Sequence, residues 1–220
     1  MTKFYALFTI CSVLIVSAAF AQRKVSELTL VYETSITNKE NKEPGMADAL
    51  DGATATVYIK GSMSRSELVS ALASFTTIHD AQARTAVVLK EVSGQKLLIR
   101  MNWQNWVEKN RRYDGMTFTN SGETKSIKGY NCSKAVAKLS DGTTFTVYYT
   151  TDIIPENKDY DYTFRNLNGL PLEYELNQGK LNIRYTVSRI SLDPIPASKF
   201  DIPTSGYREM TYEESRNLHL

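Results

Sequence analysis

Residues 85–102 read TAVVLKEVSGQKLLIRMN, and their reading decides the fold. Ser93-Gly94 is a two-residue turn signal between two runs rich in Val, Leu and Ile, so the stretch predicts a β-hairpin. That turn sets Leu89 opposite Leu98 and Val88 opposite Ile99. Successive strand side chains point to opposite faces. Ala86, Val88, Leu97, Ile99 and Met101 therefore share one face, while Val87, Leu89 and Leu98 share the other. A sheet apolar on both faces is covered on both, by helices or a second sheet, or it lines a cavity.

Outward from this hairpin, apolar–polar alternation with period two dominates the chain. Leu28, Leu30, Tyr32 and Ile36 alternate in the first segment, and Val57 and Ile59 in ATATVYIKG. Tyr160, Tyr162 and Phe164 alternate in DYDYTFRN, and Leu172, Tyr174 and Leu176 in PLEYELN. Leu181, Ile183, Tyr185 and Val187 do so in KLNIRYTVSRI. In MSRSELVSALASF, Leu68 and Leu72 also fit helical spacing, but its serines and its place between strand segments favour strand. A second hairpin is predicted in CSKAVAKLSDGTTFTVYYT, residues 132–150, around Asp141-Gly142. A two-residue loop there puts Cys132, Val136, Phe145, Val147 and Tyr149 on one face; a bulged three-residue turn slips that register by one.

Helix is scarce. Trp103, Trp106, Val107 and Asn110 follow helical spacing, with Asn102 as N-cap and Gly115 as terminator. Thr211 and Glu214 form a capping box for a short terminal helix. The expectation is a mainly β protein: many antiparallel strands, one or two short helices, and a single β-rich domain over residues 22–220. The longest loop, residues 38–52, is a solvated connection or, over a cavity mouth, a lid.

The chain begins MTKFYALFTICSVLIVSAAFAQRK. Lys3, a short apolar run and the small-residue site ending at Ala21 before Gln22 describe a cleavable secretory signal peptide over residues 1–21. The run is too short for a membrane-spanning helix. The expected location is therefore the periplasm, the cell surface or outside the cell. With 26 Lys+Arg against 24 Asp+Glu, the charge is near balance, which argues against nucleic acid as a partner. KNRR at 109–112 reads as a solvated helix end.

Candidate chemistry is sparse. Cys11 leaves with the leader, so Cys132 has no intramolecular disulfide partner. His219 is penultimate, which leaves His79, followed by Asp80, as the only other histidine. A Cys132–His79 pair would be a thiol with its base, yet no hydrolase signature surrounds either, and a packing role is expected for both. One cysteine and one histidine do not make a zinc site. Asp159 and Asp161, like Glu173 and Glu175, alternate with apolar residues and read as outward carboxylates. There is no Gly-rich phosphate loop, calcium loop, G-x-S-x-G or H-E-x-x-H, so no catalytic residue, metal or cofactor is expected.

The runs IKGYNCSKAVAKLSDGTTFTVYYTTDI, YTFRNLNGLPLEYEL and FDIPTSGYREMT resemble exported Gram-negative proteins of unknown function related to the GLPGLI family. The matching positions are Gly129, Tyr130, Cys132, Lys134 and Ala135, then Tyr149, Thr150, Asp152 and Ile153. They continue with Gly169 to Tyr174 and end with Phe200, Ile202, Pro203, Gly206 and Tyr207. The name-giving motif is interrupted, since Gly169-Leu170-Pro171 runs into Leu172-Glu173. The resemblance implies a strongly curved antiparallel half-barrel like that of the lipoprotein carrier LolA, enclosing an apolar cavity for acyl chains. It implies no catalytic residues.

The expected function is binding of a lipid or acyl chain, without catalysis, in a cavity of that sheet. The expected lining is Tyr32, Ile59, Val88, Ile99, Trp103, Trp106, Phe145, Val147 and Tyr149. The alternative is an envelope structural or interaction protein with a packed core and a protein partner.

Overall fold

The alternating segments become strands of one large open sheet. The structure, a computed structural model, describes residues 22–38, 50, 52–178 and 181–217. The leader with Cys11 and Ala21, most of loop 38–52, and His219 lie outside the described residues; Gln22 is exposed at their start.

In chain order the strands are β1 (Arg23–Val25), β2 (Glu27–Asn38), β3 (Thr54–Lys60), β4 (Met63–Val69), β5 (Ala73–Asp80), β6 (Thr85–Val92) and β7 (Gln95–Met101). Helix α1 (Trp103–Asn110) follows. Then come β8 (Thr117–Ile127), β9 (Tyr130–Lys138), β10 (Thr144–Thr150), β11 (Ile153–Pro155), β12 (Leu170–Gln178), β13 (Leu181–Ser191), β14 (Arg208–Met210) and α2 (Tyr212–Asn217). Twelve strands order as β14-β7-β6-β5-β4-β3-β2-β13-β12-β10-β9-β8, so the sheet has two ends and is not closed. Its pairs are antiparallel except β14 on β7. Short β1 and β11 pair in parallel as a separate ribbon.

The 85–102 hairpin forms in the expected register, with Leu89 opposite Leu98 and Val88 opposite Ile99. Both faces are covered. On one, α1 and Tyr162 pack on Ala86, Val88, Ile99 and Met101 through Trp106. On the other, Ile195 and Phe200 pack with Ile78, and Ile202 and Tyr207 with Val87, Leu89 and Leu98. Burying each such side chain contributes about 1.5–3 kcal/mol. The segment is also pinned by the Ile195 amide donating to Glu27 at 2.8 Å and by the Tyr207 hydroxyl donating to Glu91. Helix α1 starts with the expected Asn102 cap, its Oδ1 accepting from the Asn105 amide at 2.9 Å. The Thr211–Glu214 box caps α2.

Two expectations are corrected. The 132–150 hairpin closes through Ser140-Asp141-Gly142, with the Gly142 amide on the Leu139 carbonyl at 3.0 Å and the Leu139 amide on Thr143 at 2.9 Å. Gly142 holds φ 84°, the left-handed residue of a bulged three-residue turn. Phe145 therefore faces Ala137 and Val147 faces Ala135, while Val136 sits opposite Thr146 and is exposed. Residues 159–166 form no strand. The side chains of Asn157 and Asp161 accept from the amides of Asp159 and Thr163 at 3.1 and 2.9 Å, and these local turns displace the ladder. Tyr160, Tyr162 and Phe164 are nonetheless buried, as the spacing implied.

Gly169, just before β12, shows how tightly strands approach here. A Cβ there would lie 2.5 Å from both the Thr150 carbonyl oxygen and the Tyr149 ring. Gly169→Ala is expected to cost about 1–3 kcal/mol, read as a lower urea midpoint at unchanged slope.

Candidate ligand cavity

Strands β2 to β6, β12 and β13 bend around a cavity of about 740 Å³, within the roughly 300–1,000 Å³ of small-molecule sites. Pairing explains which side chains face it. Tyr32, Ala55, Leu68, Phe75 and Lys90 stand opposite one another in one row across five strands. Val57, Ser66, Thr77 and Val88 form the next row, and Ile59, Ser64, His79 and Ala86 the third.

Three tyrosines continue the wall across β2, β13 and β12. Tyr174 and Tyr185 stack with centroids 4.7 Å apart and planes at 18°, and Tyr32 meets them edge-on at 5.7 and 6.2 Å. The Tyr32 hydroxyl donates to the Pro171 carbonyl at 2.8 Å, reaching from β2 over β13 to β12. Burial pushes the phenols of Tyr32, Tyr174 and Tyr185 up, so all three stay neutral. Beyond them Phe164 packs edge-on against Tyr174, centroids 4.7 Å apart.

The cavity is not uniformly apolar. Lys109 and Asn110 from the end of α1, followed by Arg112 and Tyr113, line it together with Lys90. Burial and the neighbouring Lys109 charge hold Lys90 below its usual value. Burial does the same to Lys109, although its side chain still meets solvent inside the cavity. Asp161 also faces the cavity, which corrects its reading as an outward carboxylate, and burial pushes its carboxyl up. Glu173 does turn outward, pairing with Lys125 at 2.8 Å, and Glu175 pairs with Arg184.

A second chamber of about 150 Å³ adjoins the first and shares Ser66, Thr77, Lys109 and Asp161 with it. His79 lines it, 2% exposed, stacked on Trp106 with centroids 4.7 Å apart. Among the described residues neither His79 nitrogen has a hydrogen-bond partner, and the Tyr160 hydroxyl has none either. The Asp159 backbone comes near the imidazole without closing a bond. An unpaired buried polar group costs about 1–3 kcal/mol. Burial lowers the His79 pKa, which favours the neutral ring, one donor and one acceptor.

Of the residues expected to line a cavity, Tyr32 and Val88 line the large one and Trp106 the small chamber. Ile59, Ile99 and Val147 are fully packed core. Trp103 packs beside Trp106 under Arg84, Phe145 faces Phe164, and Tyr149 lies against Gly169. Sequence reasoning missed Lys90, Lys109 and Asp161. The polar pattern Ser64, Ser66, Thr77, His79 was its available signal, since two-residue spacing puts each pair on one face.

Cys132 and His79 do not meet, with β4, β3, β2, β13, β12 and β10 between their strands. Cys132 is fully buried, its thiol donates to the Tyr130 carbonyl at 3.6 Å, and burial pushes its pKa up to about 11. That is the opposite of an activated nucleophile.

No family model and no curated protein matches the chain. Among solved structures it is similar to PNGF-II, with TM-score 0.50 and 12% identity over 88% of this chain and 33% of that one. The chain thus spans about a third of the length of PNGF-II, and the likeness concerns the fold alone. It is also similar to MucB, with TM-score 0.32 and 10% identity over 81% of this chain and 58% of that one. A β-barrel-like protein of the domain of unknown function DUF1849 from Brucella abortus has TM-score 0.32 and 7% identity, over 78% and 99%. The GLPGLI-related resemblance rests on its motifs alone.

The Asp161 carboxyl makes stability pH-dependent. Its folded pKa lies above the unfolded one, so between the two values the folded state holds more protons and stability falls as pH rises. Asp161→Asn keeps an oxygen for the Thr163 amide and removes that loss. Its thermal midpoint is expected to exceed that of the parent at pH 7, with the difference vanishing toward pH 3.

Proposed function

We propose that this is an exported, non-enzymatic protein that binds a lipid or acyl chain inside its half-barrel. The observation that carries the reading is the cavity of about 740 Å³, walled by Tyr32, Tyr174 and Tyr185 and floored by Val57, Leu68 and Phe75. Such a space takes up apolar surface, the main driving force for binding a chain, while the tyrosine hydroxyls supply a few polar contacts. Absence of catalysis is supported by the separation of Cys132 from His79 and by the raised thiol pKa. Among the described residues no helix is long and apolar enough to cross a membrane. The alternative of a packed-core interaction protein has less support, because its interior would hold no such space.

Native mass spectrometry after gentle purification from the envelope fraction is expected to show a bound lipid or fatty acid. Ser66 faces the cavity and is solvent-accessible, so Ser66→Trp fills the space without displacing core side chains. That variant is expected to melt near the parent temperature and to lose at least tenfold in affinity for a fluorescent fatty-acid probe. Equal affinity would overturn the reading. Export predicts that the protein recovered from the cell begins at Gln22, read by N-terminal sequencing.

A further inference from the structure

We propose that the chamber at the centre of β4 and β5 is a head-group subsite for a carboxylate carried on an acyl chain. This rests on reading the larger cavity as the seat of that chain. On the strands that flank these two rows the positions are apolar, Val57 and Ile59 on β3 and Ala86 and Val88 on β6. Between them the cross-strand pairs Ser64–His79 and Ser66–Thr77 place four hydrogen-bonding side chains side by side. A packed core has no use for such an island, since every group in it needs a partner.

The island is held ready for a ligand. His79 is 2% exposed, lines the chamber and has no partner on either nitrogen among the described residues. Tyr160 lines the same chamber, and its hydroxyl also lacks a partner among the described residues. Neutral imidazole and phenol each offer one donor, and Ser64, Ser66 and Thr77 add hydroxyls.

The sign of the ligand follows from the charges around the space. Lys109 lines both chambers, and Lys90 and Arg112 line the larger. Against them stand Asp161, and Glu67, which is engaged by Arg65 at 2.5 Å. Burial pushes the Asp161 carboxyl up, which weakens its opposition to an anion. A negative charge reduces this surplus, and a cationic head group would worsen it. A carboxylate that accepts from Lys109, His79 and Tyr160 leaves its chain to run toward the tyrosine-walled cavity, because the two spaces share Ser66 and Thr77 in their walls.

The chain holds two tryptophans, so Trp103→Phe leaves Trp106, the ring stacked on His79, as the sole reporter of the chamber. This protein is titrated with laurate, 1-dodecanol and dodecylamine at pH 7.5 while its emission is followed. Laurate is expected to bind at least tenfold more tightly than the alcohol or the amine, the effect of one charge-assisted hydrogen bond. Lys109→Gln is expected to bring laurate to the level of the alcohol, and His79→Phe, checked for an unchanged melting temperature, to weaken laurate most. Equal binding of all three, or a laurate preference that survives Lys109→Gln, overturns the head-group subsite and leaves the chain-binding reading standing. No binding of any of the three overturns both.

Discussion

A sheet that is apolar on both faces cannot leave either one to water, and the architecture here follows from that constraint. Along β6 and β7 each face carries Val, Leu or Ile, so each needs a cover. The chain supplies one from residues 192–207, through Ile195, Phe200, Ile202 and Tyr207. It supplies the other from α1 and the turns at 158–167, through Trp106 and Tyr162. The second cover is smaller than the face it protects, and the uncovered middle of the concave side is the cavity.

The tyrosine wall keeps that middle from collapsing. Tyr32, Tyr174 and Tyr185 brace one another edge-on and face-on, each pairing adding about 0.5–1.5 kcal/mol beyond burial. Donation from the Tyr32 hydroxyl to Pro171 ties β2 to β12 across the strand between them. Side chains of this size, fixed at one end by a hydrogen bond, hold the two flanks of the curve at a set distance. The polar island of Ser64, Ser66, Thr77 and His79 costs stability, since both His79 nitrogens are buried without a hydrogen-bond partner among the described residues.

Much of this was legible in the amino acids. The Ser93-Gly94 hairpin, the strand alternation and both helix caps rest on local chemistry that nothing elsewhere overrides. The hairpin at 132–150 was harder, because its register turned on whether Ser140 joined the turn, a choice one residue wide. The aromatics at 160, 162 and 164 advertised burial through their spacing, while Asn157 and Asp161 diverted the backbone into turns with bonds that spacing does not show. The inward-facing charges escaped for another reason. Lys109 belongs to a helix end that reads as solvated in isolation, and only the tertiary position of α1 brings it over the sheet.

An open sheet also has two raw margins. At one, β14 adds three residues in parallel to β7 and ends the ladder. At the other, β8 is interrupted: Asn120 pairs with Ala135 and Thr124 with Ser133, so Ser121, Gly122 and Glu123 loop out. Glu123 is tied back to Lys134 at 2.9 Å. The bulge leaves four paired residues on either side of it, too short and too twisted a template for another chain to extend. The half-barrel can stay unclosed without becoming a seed for fibrils.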